Sequence, residues 1–176
     1  MISVIYGKRL IFWGTRDAIG HSANRNFAEK VMTKRVLIVE DEIFVALEIE
    51  HIVRAVGMEV SAIAADRKDA LAAAPDSDIA LVDLNLRDGP TGPLIGQALA
   101  ERHGVRVIYV TANPAQIGAS AANALGVITK PFRETTIRAA LMAAAEEKPD
   151  LSSLAISGFI PFSGPSGSLT GAEYQG

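Results

Sequence analysis

Cysteine does not occur anywhere in this chain of 176 residues. Its absence removes disulfide frameworks, thiolate nucleophiles and zinc-thiolate sites, and suits a reducing, cytoplasmic setting. Long apolar runs are missing too; each is broken well before the roughly 18 residues that a membrane span needs. No basic stripe with interleaved aromatics is present, and the net charge is -3. A nucleic-acid partner held through its phosphates is therefore not expected. What is present is 49% hydrophobic and 21% charged residues, enough for one good core and too little chain for two full-sized domains.

Both ends differ from the middle. Residues 1–31 carry Lys8, Arg9, Arg16, Arg25 and Lys30 against Asp17 and Glu29, with the only tryptophan and no sustained periodicity after Ile2 to Tyr6. An organellar transit peptide would be richer in Ser and amphipathic, and a secretory signal would need a longer apolar core. Met32 is followed at once by Thr33-Lys34-Arg35 and a clean strand, so a start at Met32, with the leader not translated, is the simpler expectation. Residues 149–176 have no Lys or Arg and many Gly and Ser, the composition of a flexible tail. Within it Phe159, Ile160 and Phe162 form a short apolar patch able to dock on its own domain or on a partner.

Between these ends, from 32 to 148, strands and helices alternate. Val36 to Val39 reads as a buried strand ending in Glu40-Asp41-Glu42. Phe44, Leu47, Ile52 and Ala55 recur at helical spacing until Gly57. Val60 to Ala64 is a second strand, and Arg67 to Ala74 a helix closed by Pro75. Ile79 to Val82 is the third strand, running into Asp83 and a Gly/Pro/Thr loop. A helix over Pro93 to His103 stops at Gly104, and Val105 to Val110 is the fourth strand, reaching Thr111. Pro114 to about Ala124 is expected to be a short helix, Val127 to Thr129 the fifth strand, and Thr135 to Glu147 the last helix. Five strands alternating with five helices through short connections predict a doubly wound α/β fold, a parallel sheet with helices on both faces.

The residues at the carboxyl ends of the strands carry the chemistry, because open α/β sheets bind ligands there. Glu40 and Asp41 end the first strand, Asp83 the third, Thr111 the fourth and Lys130 the fifth. Taken singly each has a plain structural role: acidic residues and Thr cap helices, Asp is common where strands end, and Lys is usually solvated. Taken together they form a set. Three crowded carboxylates raise one another's pKa unless a cation shares the site, and oxygen ligands without His or Cys point to Mg²⁺. A fixed ammonium and a hydroxyl beside them suit a phosphoryl group held on a carboxylate nucleophile.

Val36 to Glu42 (VLIVEDE), Leu81 to Gly89 (LVDLNLRDG), Thr111 and Lys130-Pro131-Phe132 resemble the receiver domain of two-component response regulators, over about Thr33 to Glu147. The resemblance implies a flavodoxin-like sheet of five strands in the order 2-1-3-4-5. It implies Asp83 as phosphoacceptor, Glu40 and Asp41 as the acidic pair for Mg²⁺, and the backbone carbonyl of Asn85 as a further metal ligand. Thr111 then contacts the phosphoryl group, Lys130 pairs with it, and the peptide before Pro131 is cis. The stretch VEDEIFVALEIE and the late ITKPF are similar to receivers that work with HWE-type histidine kinases of alphaproteobacteria, among them the receiver half of general-stress regulators. One departure stands out: Val127 occupies the position, three before Lys130, where many receivers carry a rotating Tyr or Phe.

The expected function is that of a stand-alone receiver, cytoplasmic and not an enzyme on an external substrate. It takes a phosphoryl group from a histidine kinase or phosphotransfer protein and signals to a protein target by surface contacts. Residues after Lys148 are too few for a DNA-binding module with its own core. An aspartyl-nucleophile phosphohydrolase is the alternative in another class, but it would want a general acid two residues after Asp83, where Asn85 stands. A phosphorylation-silent binding module is the third reading, disfavoured by the complete acidic pair, Thr111 and Lys130.

Overall fold

The computed structural model describes residues 31, 33–118, 123–147 and 158–162, and the backbone of 4–6 and 9–11. In the leader, β1 (Val4–Tyr6) and β2 (Arg9–Ile11) pair antiparallel with Val4 opposite Ile11. Met32, Phe12, Trp13 and most of the leader and tail lie outside the described residues. Val31, placed with the leader by its sequence, is buried within the main core.

The main sheet is built from β3 (Arg35–Val39), β4 (Glu59–Ala64), β5 (Ile79–Val82), β6 (Arg106–Thr111), β7 (Ala124–Thr129) and β8 (Phe159–Pro161) in the order β4-β3-β5-β6-β7-β8. Counted from Arg35, the five parallel strands follow the expected order 2-1-3-4-5. The sixth strand was not expected: β8 comes from the tail and pairs antiparallel with β7, with Val127 opposite Ile160. The apolar patch in the tail thus docks on its own domain.

Alternation explains how the sheet is covered. In β3, Val36 and Ile38 face one way and Leu37 and Val39 the other, all four fully buried, as a central strand of a parallel sheet requires. Helices α1 (Ile43–Ala55) and α4 (Glu134–Ala145) close the first face with Ile49, Val53, Ile137 and Leu141. Helices α2 (Arg67–Ala73) and α3 (Gly92–His103) close the second with Ala70, Ile95 and Leu99. Asp66 caps α2 by accepting from the Asp69 amide at 2.9 Å, and Gly104 ends α3 in the left-handed region, which costs glycine little. Among the described residues no helix is long and apolar enough to cross a membrane.

Two sequence expectations are corrected. The stripe of α1 that meets the core is Ala46, Ile49, Ile52 and Val53. Phe44, Leu47 and Ala55 lie outside it, Phe44 being 85% exposed, because α1 carries apolar residues around more than one face and only one face meets the sheet. The helix expected over Pro114 to Ala124 is replaced, among the described residues, by a 3-10 turn at Pro114–Gln116. Gly118 follows with φ +54, a conformation that ends a right-handed helix, and β7 already begins at Ala124. Four α-helices are described between 33 and 147, and residues 119–122 of the expected fifth lie outside the described residues.

Candidate functional site

The carboxyl ends of β3, β5, β6 and β7 converge on one edge of the sheet. Parallel pairing of Val39 with Val82, and the Asp83 amide donating to the Val39 carbonyl at 2.9 Å, set Asp83 beside the Glu40-Asp41 turn. Glu40, Asp41 and Asp83 each offer a carboxylate oxygen, and these atoms lie within 4.8 Å of one another. Asp41 is exposed, whereas Glu40 and Asp83 are buried. One Asp83 oxygen accepts from the Leu84 amide at 2.6 Å and the other from Lys130 Nζ at 2.8 Å.

Lys130 also donates to Glu40 Oε2 at 2.7 Å. Burial alone would lower the lysine pKa, but hydrogen bonds to Asp83 and Glu40 and their charges outweigh it, so the ammonium is held above its usual range. Burial pushes the Glu40 carboxyl up, opposed by Lys130 and the Glu42 amide. Three carboxylates against one ammonium leave an excess of negative charge in a half-enclosed site, which a divalent cation with oxygen ligands would offset. The donor set fits that group.

Thr111 is 1% exposed. Its backbone carbonyl accepts from the Lys130 amide at 2.8 Å, and its hydroxyl oxygen accepts from the Asn113 amide at 3.1 Å. The Lys130-Pro131 peptide is cis, as the resemblance implied. Asn85 is exposed, and its Nδ2 donates to Gln116 Oε1 at 3.1 Å, tying the loop after β5 to the turn after β6. Val127 is buried, facing Tyr109 in register on β6.

Several contributors escaped the sequence reading. Gly92 packs so tightly under the site that a Cβ there would lie 2.0 Å from the Asp83 carbonyl oxygen. Asp88 accepts from Thr91 Oγ1 at 2.6 Å and from the Arg67 amide at 3.0 Å, while Arg87 pairs with the Asp66 side chain, fastening the Asp83 loop to α2. Gln116 carries no sequence signal, since a polar residue on a turn is ordinary. Gly92, directly before Pro93 at the start of a helix that follows Asp83, was the one visible cue.

This fold, with its acidic edge and lysine, defines a receiver. The family model for the response regulator receiver domain matches residues 36–142, and the chain belongs to that family. Its relatives include the phyllosphere-induced regulator PhyR of Methylorubrum extorquens, 30% identical over 133 residues that make up 73% of this chain and 49% of the regulator. The chain therefore spans about half the length of that relative. The receiver domain of Erythrobacter litoralis PhyR is similar with a TM-score of 0.59 and 30% identity, covering 64% of this chain and 89% of that one. The anti-anti-sigma factor PhyR of Bartonella quintana is similar with a TM-score of 0.57 and 26% identity, covering 71% of this chain and 51% of that one.

Proposed function

We propose that this receiver is a cytoplasmic phosphoacceptor that takes a phosphoryl group onto Asp83 from a partner histidine kinase or phosphotransfer protein, with Mg²⁺, and signals to a protein target by surface contacts. The observation that carries the reading is the placing of Lys130 Nζ between Asp83 and Glu40, with Asp41 in the same cluster. Glu40, Asp41, Asp83 and the Asn85 carbonyl would hold the metal, which supplies charge neutralisation for the transferring group. An Asp83 carboxylate oxygen forms a bond to phosphorus as the bond from phosphorus to the donor nitrogen breaks, leaving an acyl phosphate and a free imidazole. Lys130 then balances the new charge and Thr111 offers its hydroxyl to a phosphoryl oxygen.

Exposed apolar side chains at the start of α1 support a protein partner. Ile43, Phe44 and Leu47 are exposed within a few residues of Glu40 and Asp41, and an apolar patch beside a reactive site marks a contact surface. The PhyR relatives are regulators, one of them an anti-anti-sigma factor, which agrees with output through protein contacts. Asn85 gives no general acid for turnover of phosphomonoesters, so this is signalling rather than enzymatic chemistry.

Incubation with a small phosphodonor in Mg²⁺ tests the reading. The native chain should gain one phosphoryl group by intact mass, Asp83→Asn should gain none, and chelation should abolish the gain. Labelling of the Asn variant would place the acceptor elsewhere, and rapid hydrolysis of added phosphomonoesters would favour the phosphohydrolase.

A further inference from the structure

β8 is a short strand held by few bonds. It pairs through Gly126 with Pro161, Val127 with Ile160 and Ile128 with Phe159. Beyond these the Thr129 amide donates to the Gly158 carbonyl at 3.1 Å and the Phe162 amide to the Leu125 carbonyl at 3.0 Å. Phe159 and Phe162 are buried in the cores on opposite faces of the sheet, so the segment grips the edge of β7 from both sides. The approach is closest at Gly126, where a Cβ would lie 2.5 Å from the Ile160 carbonyl oxygen and 2.6 Å from Phe159 Cζ. A side chain there would expel the segment.

The strand so covered runs directly into the functional site. Thr129 pairs with Thr111, and the next residue is Lys130, whose amide donates to the Thr111 carbonyl. One short stretch therefore holds the tail along its edge and the ammonium at its end.

We propose that the outer edge of β7 is a strand-acceptor site whose resident ligand is the chain's own segment 158–162, and that its occupancy is coupled to the state of Asp83 through Lys130. The coupling rests on the phosphoacceptor reading; the acceptor site does not. A phosphoryl group on Asp83 inserts three oxygens where the ammonium now meets the carboxylate at 2.8 Å, so Lys130 retreats and the adjoining end of β7 moves with it. Thr129 is the tail's bond nearest that movement, and the segment loosens from there. Reciprocity follows from linkage: releasing the segment favours the phosphorylated state by the same factor. The uncovered edge fits an extended protein segment lying antiparallel with an aromatic residue over Gly126, the chemistry of the resident strand.

Amide hydrogen exchange on the full chain, resting and loaded with Mg²⁺ and the phosphoryl mimic beryllofluoride, tests both parts, with Gly126→Ala and Phe159→Ala as variants outside the phosphoryl site. Loading should speed exchange over residues 125–129 and 158–162 in the native chain. Both variants should show the fast exchange without loading and bind beryllofluoride about fivefold tighter or more. A peptide with the sequence of residues 157–163 should protect residues 125–129 in Phe159→Ala and not in Gly126→Ala. No such protection in Phe159→Ala would overturn the acceptor site. Unchanged exchange on loading, or unchanged beryllofluoride affinity in variants whose tail is released, would overturn the coupling. Absence of both phosphodonor labelling and beryllofluoride binding in the native chain would instead overturn the phosphoacceptor reading and the coupling with it, leaving the peptide result to decide the acceptor site.

Discussion

Lys130 Nζ lies 2.7 Å from Glu40 Oε2 and 2.8 Å from Asp83 Oδ2, one ammonium joining two carboxylates from the ends of separate strands. The pair is mostly enclosed, with the Lys130 side chain 14% exposed, so its charges are only weakly screened by solvent. Removing one partner of a buried ion pair leaves uncompensated charge and costs several kcal/mol.

Lys130→Met should therefore lower stability by about 2–4 kcal/mol in chelator, the partial exposure trimming the full cost of a buried pair. Excess Mg²⁺ should recover much of the loss, because a divalent ion supplies the missing positive charge. Thermal melts of native and variant protein with and without Mg²⁺ measure this. If Mg²⁺ leaves both Tm values unchanged, the cluster is not a divalent-ion site; an equal rise in both would show that the ion does not stand in for the missing ammonium.

Glu40 gives the opposite sign. Burial is the main influence on its carboxyl and raises its pKa above the ordinary 4.5. The folded chain thus keeps a proton that the unfolded chain has released, and charged Glu40 costs stability. That cost is complete above the raised folded value and vanishes below the unfolded value near 4.5. Glu40→Gln should melt higher than the native chain at neutral pH in chelator, by roughly a few degrees, with the gap closing as pH falls toward 4. It should also bind Mg²⁺ more weakly. A gap independent of pH would show that the carboxyl's charge is not its source.

Glu40, Asp41, Asp83 and Thr111 were legible because each terminates an apolar run, and Lys130 because it precedes Pro131 at the end of another. In a parallel sheet all such ends share one edge. The two-faced burial of β3 and β5 was legible in unbroken runs such as Val36 to Val39. The tail strand was not, because three paired residues have no measurable period and their site is a hollow over Gly126 that exists only after β7 has folded. The inner and outer stripes of α1 were confused because Phe44 and Leu47 are as apolar as Ile49 and Val53; only the sheet's position separates them. The helix read from Pro114 by propensity is not formed over 114–118, where a 3-10 turn runs into Gly118 at positive φ, and residues 119–122 lie outside the described residues.

Gly96 and Tyr109 should behave as a coupled pair. A Cβ on Gly96 would lie 2.3 Å from the Tyr109 hydroxyl oxygen and 2.8 Å from Cζ, and the ring is fully buried. Gly96→Ala should cost about 1–3 kcal/mol, the usual range for overpacking. Tyr109→Phe alone should cost about 1 kcal/mol or less, since its hydroxyl donates only weakly, to the Pro93 carbonyl at 3.4 Å. The double variant should be more stable than the sum of the two losses, because the hydroxyl that clashes is gone. Denaturant melts of the four proteins measure the coupling, and strict additivity would refute the clash.

Under the proposed phosphoacceptor role of Asp83, Val127 cannot serve as the moving reader. Val127 is buried opposite Tyr109, and a β-branched side chain with restricted χ1 cannot sweep the volume of a rotating ring. A response carried by Thr111 must therefore pass through the segment that follows it rather than through a rotating ring, alongside any movement of β7. There the Thr111 hydroxyl oxygen accepts from the Asn113 amide at 3.1 Å, Asn85 reaches Gln116, and Ile117 is the one buried anchor described between 112 and 118. A hydroxyl that turns toward a phosphoryl oxygen gives up Asn113, so the Asn113 amide should exchange faster in the beryllofluoride-loaded chain. Thr111→Ala removes the acceptor outright: it should still be labelled at Asp83, yet show fast Asn113 exchange in both states and no dependence on loading. Equal protection of Asn113 in the resting and loaded native chain would mean that Thr111 stays where it is, and the readout would then have to run through β7 alone.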